Sequence, residues 1–237
     1  ISILKEEIDN PSGFQKVLNV LSVISQNDII VNQIVNTGPD LSSICDKLLS
    51  KAISSKKGDV FDQKSLIIIF DLINQSDKLK SQLCMSIQEY ILTSIEQRTI
   101  QNSILPKSME ILVSCVTHHQ ENRTFFIKNT SKEKIAAVFK LTRSTGNTMA
   151  QIFSVEFLWR VAIPMRMSIE ERNKIFGKFA QQLYAIKAES FREGILNFVE
   201  NINLERTDPQ RILHIKIKNL MIGKNLIPGT HNLYFGA

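Results

Sequence analysis

The sequence predicts a mainly α protein: an armadillo- or HEAT-like helical solenoid over residues 1–205, followed by a β-strand segment over 206–237. Three observations predict this. Apolar residues recur at helical spacing throughout the first region. Amphipathic helices alternate there with more thoroughly apolar ones at a loose period of roughly 40 residues, which suits stacked repeats. After Asp208-Pro209 the apolar period changes to two. No sharp sequence repeat is visible, and a non-repetitive helical bundle is the alternative fold.

The elements follow in order. Phe14, Val17, Leu18, Leu21 and Ile24 make one helix face. Gly38-Pro39 ends the next helix, and Asp40 is placed to cap the one after, whose stripe is Leu41, Ile44, Cys45, Leu48, Leu49 and Ile53. Lys56-Lys57-Gly58-Asp59 is a loop signal. The β-branched run Leu66 to Phe70 would suit a buried strand. No hairpin or βαβ pattern surrounds it, and the helical spacing continues through Leu72 and Ile73, so it reads as the buried helix of a repeat. Helices are then expected near 78–98, 104–117, 131–144, 148–163, 168–185 and 188–202.

Ser168 with Glu171, and Thr148 with Gln151, have capping-box spacing. The helix from 168 has the stripe Ile169, Arg172, Ile175, Phe176, Phe179 and Leu183, and the helix from 188 has Phe191, Ile195, Phe198, Val199 and Ile202. The helix at 150–163 differs, because Phe153, Val155, Phe157, Leu158, Trp159 and Val161 surround it. A helix apolar on all sides must be enclosed, and Glu156 and Arg160 at i, i+4 can pair with each other. Phe157, Trp159, Phe176, Phe179, Phe191 and Phe198 are therefore the expected structural core. Further on, Leu213 to Lys218, Leu220 to Ile222 before Gly223, and Asn232 to Phe235 read as two or three short strands, with a turn at Pro228-Gly229.

Composition narrows the function classes. At 237 residues and 43% hydrophobic, the chain can bury a full core. No apolar run approaches the ~18 residues that span a bilayer, and the start lacks the charged and apolar regions of a signal peptide. A first residue of Ile1 suggests a piece of a longer protein. Three widely spaced cysteines, Cys45, Cys84 and Cys115, do not make a disulfide framework and fit a reducing compartment. The sequons at Asn122 and Asn129 are therefore expected to stay unglycosylated. Residues 1–120 carry 11 Lys+Arg against 13 Asp+Glu, whereas residues 121–237 carry 18 against 10. A basic second half suggests acidic partners, while solvated helix faces are its bland explanation.

The chemistry-bearing residues do not assemble into a catalyst. Cys115, His118 and His119 come nearest to a metal cluster, but adjacent histidines diverge on a helix and a fourth ligand is missing. Their placement at a helix C-terminus accounts for them equally well. The glycines are scattered singly, so no phosphate loop forms, and no nucleophile elbow appears. Glu170, Glu171, Glu189 and Glu193 lie among Lys174, Lys178 and Lys187 and read as ion-pair partners. The expectation is a protein that is not an enzyme, with no cofactor, no metal and no small-molecule substrate. Lys132, Lys140 and Arg143 can share one helix face opposite Ile135 and Phe139. With Lys174, Lys178 and Lys187 they form the candidate partner-binding surface. Interleaved acids argue against tight DNA binding, and aromatics confined to apolar stripes argue against base stacking.

Gln151 to Asn203 also resembles a known family. The likeness lies in Val155-Glu156-Phe157-Leu158-Trp159-Arg160, then Arg172 and Phe176, Ile186-Lys187, Phe191-Arg192-Glu193-Gly194, and Ile195-Leu196-Asn197-Phe198 with Asn201 and Asn203. These residues resemble the N-terminal domain of meiotic chromosome-axis core proteins, the family of synaptonemal complex protein 2 and the budding-yeast axial-element protein. The resemblance implies a β-domain of pleckstrin-homology-like fold after the helices, and His214 to Phe235 stands where it would open. It implies a structural, protein-binding module of the synaptonemal complex lateral element, in the nucleus on the chromosome. The partners it implies are cohesin, centromere or chromatin proteins, with at most weak DNA or nucleosome contact and no membrane. A nucleosome- or DNA-binding helical repeat and a general armadillo-type adaptor are the alternatives. The family's filament assembly belongs to a C-terminal coiled coil and is not implied for these residues.

Overall fold

The computed structural model describes residues 2–38 and 40–207, and the backbone of strands 213–222 and 225–235. The described chain is mainly helical. In order the helices are α1 (Ser2–Glu7), α2 (Pro11–Ile24), α3 (Asp28–Thr37), α4 (Asp40–Ser54), α5 (Val60–Gln75), α6 (Asp77–Glu96) and α7 (Leu105–Val116). They continue as α8 (Gln120–Asn129), α9 (Lys132–Ser144), α10 (Thr148–Val161), α11 (Ile169–Phe176), α12 (Ala180–Tyr184) and α13 (Phe191–Leu204). Strands β1 (Leu213–Ile222) and β2 (Asn225–Phe235) follow.

The helices pack as two rows. α1, α4, α6, α9 and α11 touch in succession along one row, and α2, α5, α7, α10 and α13 along the other. The rows meet at α1–α2, α4–α5, α6–α7 and α9–α10, while α3 lies on α4 and α5, and α8 on α6, α7 and α10. Side-chain hydrogen bonds between helices repeat with this arrangement. Asn32 Nδ2 donates to Gln75 O, Lys78 Nζ to Asn36 Oδ1, Gln88 Nε2 to Thr130 Oγ1, Ser114 Oγ to Asn74 Oδ1 and Asn122 Nδ2 to Lys80 O. These five bonds span between 40 and 43 residues. One of them joins α5 to α7 in the same row, and the other four tie α3, α8 or the residue after α8 to α5 or α6.

Burial explains the helices that propensity alone would not give. In α5 the residues Leu66, Ile68, Ile69, Leu72 and Ile73 are buried, so the β-branched run is held helical by neighbours on several sides. The loop before it supplies a cap: Asp59 and Asp62 form a reciprocal capping box. α10 is bounded by α7, α8, α9 and α13, which is why it shows almost no polar face. Val155, Phe157, Leu158 and Val161 are fully buried there, and Arg160 Nε reaches Glu156 Oε1 at 2.8 Å.

Trp159 and Phe191, expected in the core, are only half-buried, whereas Phe157, Phe176, Phe179 and Phe198 are buried as expected. The indole needs a partner for its N–H and finds it at the molecular edge: Nε1 donates to Ile186 O at 3.0 Å. Its ring lies 4.5 Å from that of Phe191, with the Arg160 guanidinium 5.1 Å from the Phe191 centroid. Gly194 completes this clamp. A Cβ built there would stand 2.9 Å from Ile186 Cγ2, so α13 can approach the 185–190 loop only without a side chain at that position.

Other expectations need correction. Thr148 and Gln151 do not form a capping box. Asn147 caps α10, accepting from Ala150 N at 2.9 Å. Gln151 instead pairs with Asn203 through both amides, at 3.1 and 2.8 Å, and donates to Thr142 O at 3.0 Å. Beside this buried pair the guanidinium of Arg206 closes the end of α9, with Nη1 2.6 Å from Thr145 O and Nη2 3.2 Å from Ser144 O. Asp40 is the first residue of α4, not its cap. The helix expected over 168–185 breaks at Gly177, whose φ of 55° ends α11; a 3-10 turn over Gly177–Phe179 then leads into α12. The break brings the rings of Phe176 and Phe179 to 5.2 and 6.1 Å from Phe139, and leaves Ile169, expected on the apolar stripe, exposed. Residues 118–130 carried no expected helix, and α8 lies within them because its apolar content is too slight to show a face.

The strand segment holds two strands, each longer than the two or three short ones expected. β1 and β2 pair antiparallel from Leu213–Phe235 to Ile222–Asn225. Pro228-Gly229 makes no turn. With Lys218 opposite Thr230 and Leu220 opposite Ile227, these two residues face Asn219 alone, and a bulge absorbs the missing proline donor. Asp208-Pro209 and Gly223 lie outside the described residues.

Two stability outcomes follow. Phe157→Ala should cost about 3–5 kcal/mol in urea denaturation, and the half-buried Trp159→Ala less than that. Gly194→Ala should destabilise by about 1–3 kcal/mol through its clash with the branched Ile186, outweighing the ~1 kcal/mol that alanine ordinarily gains over glycine in a helix.

Candidate interaction surface

The thiols are packed as apolar groups. Cys45, Cys84 and Cys115 are free and buried. Burial pushes the Cys45 and Cys84 thiols up to about 12, and burial raises Cys115 too. A thiol held protonated is a poor nucleophile and a poor metal ligand. Among the described residues, no three of His, Cys, Asp and Glu converge in a way that could hold a metal ion. His119, expected to favour a helix C-terminus, does the opposite work. It is the N-cap of α8, its Nδ1 accepting from Asn122 N at 3.2 Å while Nε2 lies 2.9 Å from Ser81 Oγ. Depressions on the surface are shallow; one between α5, α7 and α10 has Phe70, Glu110, Ser114, His118 and Glu156 on its walls.

The structure divides the six basic residues expected to bind a partner. Lys132 pairs with Glu171 and joins α9 to α11. Lys178 pairs with Glu205 after α13. Arg143 lies with its guanidinium 5.7 Å from the Phe179 centroid. These three are used for internal contacts. Of the four acids expected to pair, Glu171 alone does so among the described residues, and with Lys132 because α9 and α11 touch; Lys178 pairs instead with Glu205. Lys140, Lys174 and Lys187 are exposed and, among the described residues, make no ion pair. The single face expected for Lys132, Lys140 and Arg143 is also split, with Lys140 turned toward the α6–α9 groove.

That groove was not legible in the sequence. Ile95, Ile100, Ala137 and Leu141 line it, Arg98 and Lys140 stand at its edges, and its volume is about 340 Å³. Further along the same helix pair Lys134 Nζ meets Glu89 Oε2 at 3.1 Å. The ammonium of Lys134 and the hydroxyl of Thr93 hold the Glu89 carboxyl below its ordinary value, and the Lys132 ammonium does the same for Glu171.

In comparisons with known proteins, no family model, no curated protein and no solved structure matches the chain.

Iodoacetamide should label all three cysteines slowly at pH 8 in the native protein and rapidly in urea, read by intact mass. The lowered Glu89 and Glu171 carboxyls contribute stability that is present above their ordinary unfolded-state values and lost as pH falls through the lower folded-state ones. Lys134→Met should therefore flatten the acid limb of a stability–pH profile without changing its neutral plateau shape.

Proposed function

We propose that the chain is a non-enzymatic structural and docking module of a meiotic chromosome-axis protein, acting in the nucleus on chromosomes. Its two helix rows are then an armadillo-like solenoid, and its hairpin the opening of a pleckstrin-homology-like domain. One observation carries the reading. The residues on which the family resemblance rests form one packed unit in space: Trp159 donates to Ile186 O, stacks on Phe191, and Gly194 gives Ile186 room. Asn203, which closes that stretch, is locked to Gln151. A stretch whose residues serve packing and not chemistry suits a scaffold whose outer surface meets its partners. The exposed cations Lys140, Lys174 and Lys187 supply a surface for acidic segments of cohesin, centromere or chromatin proteins.

A second reading, direct DNA or nucleosome contact, is favoured by the basic balance of residues 121–237. It is weakened because Lys132, Lys134 and Lys178 are already neutralised within the fold.

The test is capture of partners from meiotic chromatin extract by the wild type and by the Lys174→Glu/Lys187→Glu variant. The variant should keep its denaturation midpoint and lose most of the captured protein. Unchanged capture removes this surface from the proposal. A gel shift of duplex DNA that weakens steeply with salt would favour the second reading.

A further inference from the structure

We propose that the groove between α6 and α9 is a docking site for a short peptide segment carrying aliphatic side chains flanked by Asp or Glu. The proposal rests on the docking reading above and names the site and the chemistry of its occupant. Its floor is apolar: Ile95 is buried, and Ile100, Ala137 and Leu141 are half-buried, so aliphatic area is left open to water between two packed helices. Arg98 and Lys140 stand at its edges and, among the described residues, neither makes an ion pair.

Arg98 carries the argument furthest. It sits just past the end of α6 with φ 57°, in the left-handed region. Its N–H donates to Ile95 O at 3.2 Å, and the N–H of Thr99 donates to Ser94 O at 2.9 Å, the helix-ending pattern that glycine serves best. A side chain there is strained, and the guanidinium gains no carboxylate within the fold in return. His118 and Arg166 share the conformation, but Arg98 is the one that borders an apolar floor beside a second unpaired cation. The turn satisfies the end of α6, but the guanidinium that it carries to the groove meets no carboxylate among the described residues and is left for a ligand. The occupant follows from complementarity: two cations on the rim select carboxylates, and the floor selects Leu- or Ile-like side chains. Asn102 and Ser144 on the same rim can meet a peptide backbone. A nucleic acid fits less well, because Glu96 lies on the rim, the floor is aliphatic, and a phosphate backbone would find only two cations.

A random short-peptide phage library panned on the whole chain tests the site. Enriched peptides should combine acidic and aliphatic residues. Their affinity, measured by fluorescence polarisation, should fall about tenfold or more in Arg98→Glu/Lys140→Glu. Arg98→Gly separates binding from folding. It should raise the melting temperature by relieving the left-handed residue, and weaken the same peptides. No enrichment, or enriched peptides that bind Arg98→Glu/Lys140→Glu and Arg98→Gly as they bind the wild type, overturns the proposal. If those peptides are instead lost on Lys174→Glu/Lys187→Glu, the groove fails while the docking reading stands. If a DNA duplex binds through Arg98 and Lys140 and displaces the peptides, the occupant is nucleic acid and both fail.

Discussion

The structure depends on covering α10. This helix has apolar residues on nearly every side, and leaving any of them in water would forfeit the burial that holds the second half together. Four helices meet that requirement. α7 precedes it in its row, α9 faces it from the other, α8 closes one flank and α13 the last. Ring contacts mark the seams: Phe126 from α8 meets Phe157 edge-on at 5.9 Å, and Phe191 from α13 lies against Trp159. The ends of α9 and α13 are then fixed by polar groups with no freedom to move, the Gln151–Asn203 amide pair and the Arg206 guanidinium. A buried polar network of this kind is favourable only when its members are satisfied, and its geometry sets how α13 is docked on α10.

The same constraint explains where the thiols and much of the charge end up. Helices that close on one another from several sides bury the thiols and consume part of the charge. Cys45, Cys84 and Cys115 become core atoms, and Lys132, Lys134 and Lys178 become fasteners between helices. Lys140, Lys174 and Lys187 stay exposed, and the seam between α6 and α9 leaves an apolar floor uncovered between neighbouring helices of one row. Such a seam opens where a residue at the contact of two helices is small, as Ala137 is here.

Much of the fold was legible because it follows from period. The stripes of α2, α4, α9 and α13 are complete in the residue order, and the Ser168–Glu171 box announces the start of α11. The helical reading of Leu66 to Phe70 rested on spacing over β-propensity, and packing on several sides of α5 upholds it. What misled was local and specific. Gly177 interrupts an apparently continuous stripe because one positive φ outweighs eighteen residues of expected helix (168–185). Pro228-Gly229 looks like a turn, yet a two-stranded ladder can absorb it as a bulge. Of the candidate residues, Lys140, Lys174 and Lys187 are exposed and outside the ion pairs of the described residues, but nothing in the order of residues separates them from Lys132 and Lys178. That distinction requires knowing that Glu171 and Glu205 lie opposite.

By itself the sequence determined that this protein is mainly helical, that its thiols and histidines lack catalytic or metal-binding spacing, and that its positive charge gathers in the second half. These follow from composition and from correlations a few residues long, which survive in any arrangement of the helices. The tertiary structure alone decided which lysines are free, which aromatic residues are sealed and which sit at an edge, and where a groove opens between α6 and α9. Each of those depends on residues far apart in the chain meeting in space, and the distance between such residues is set by how helices pack, not by the order in which they are joined.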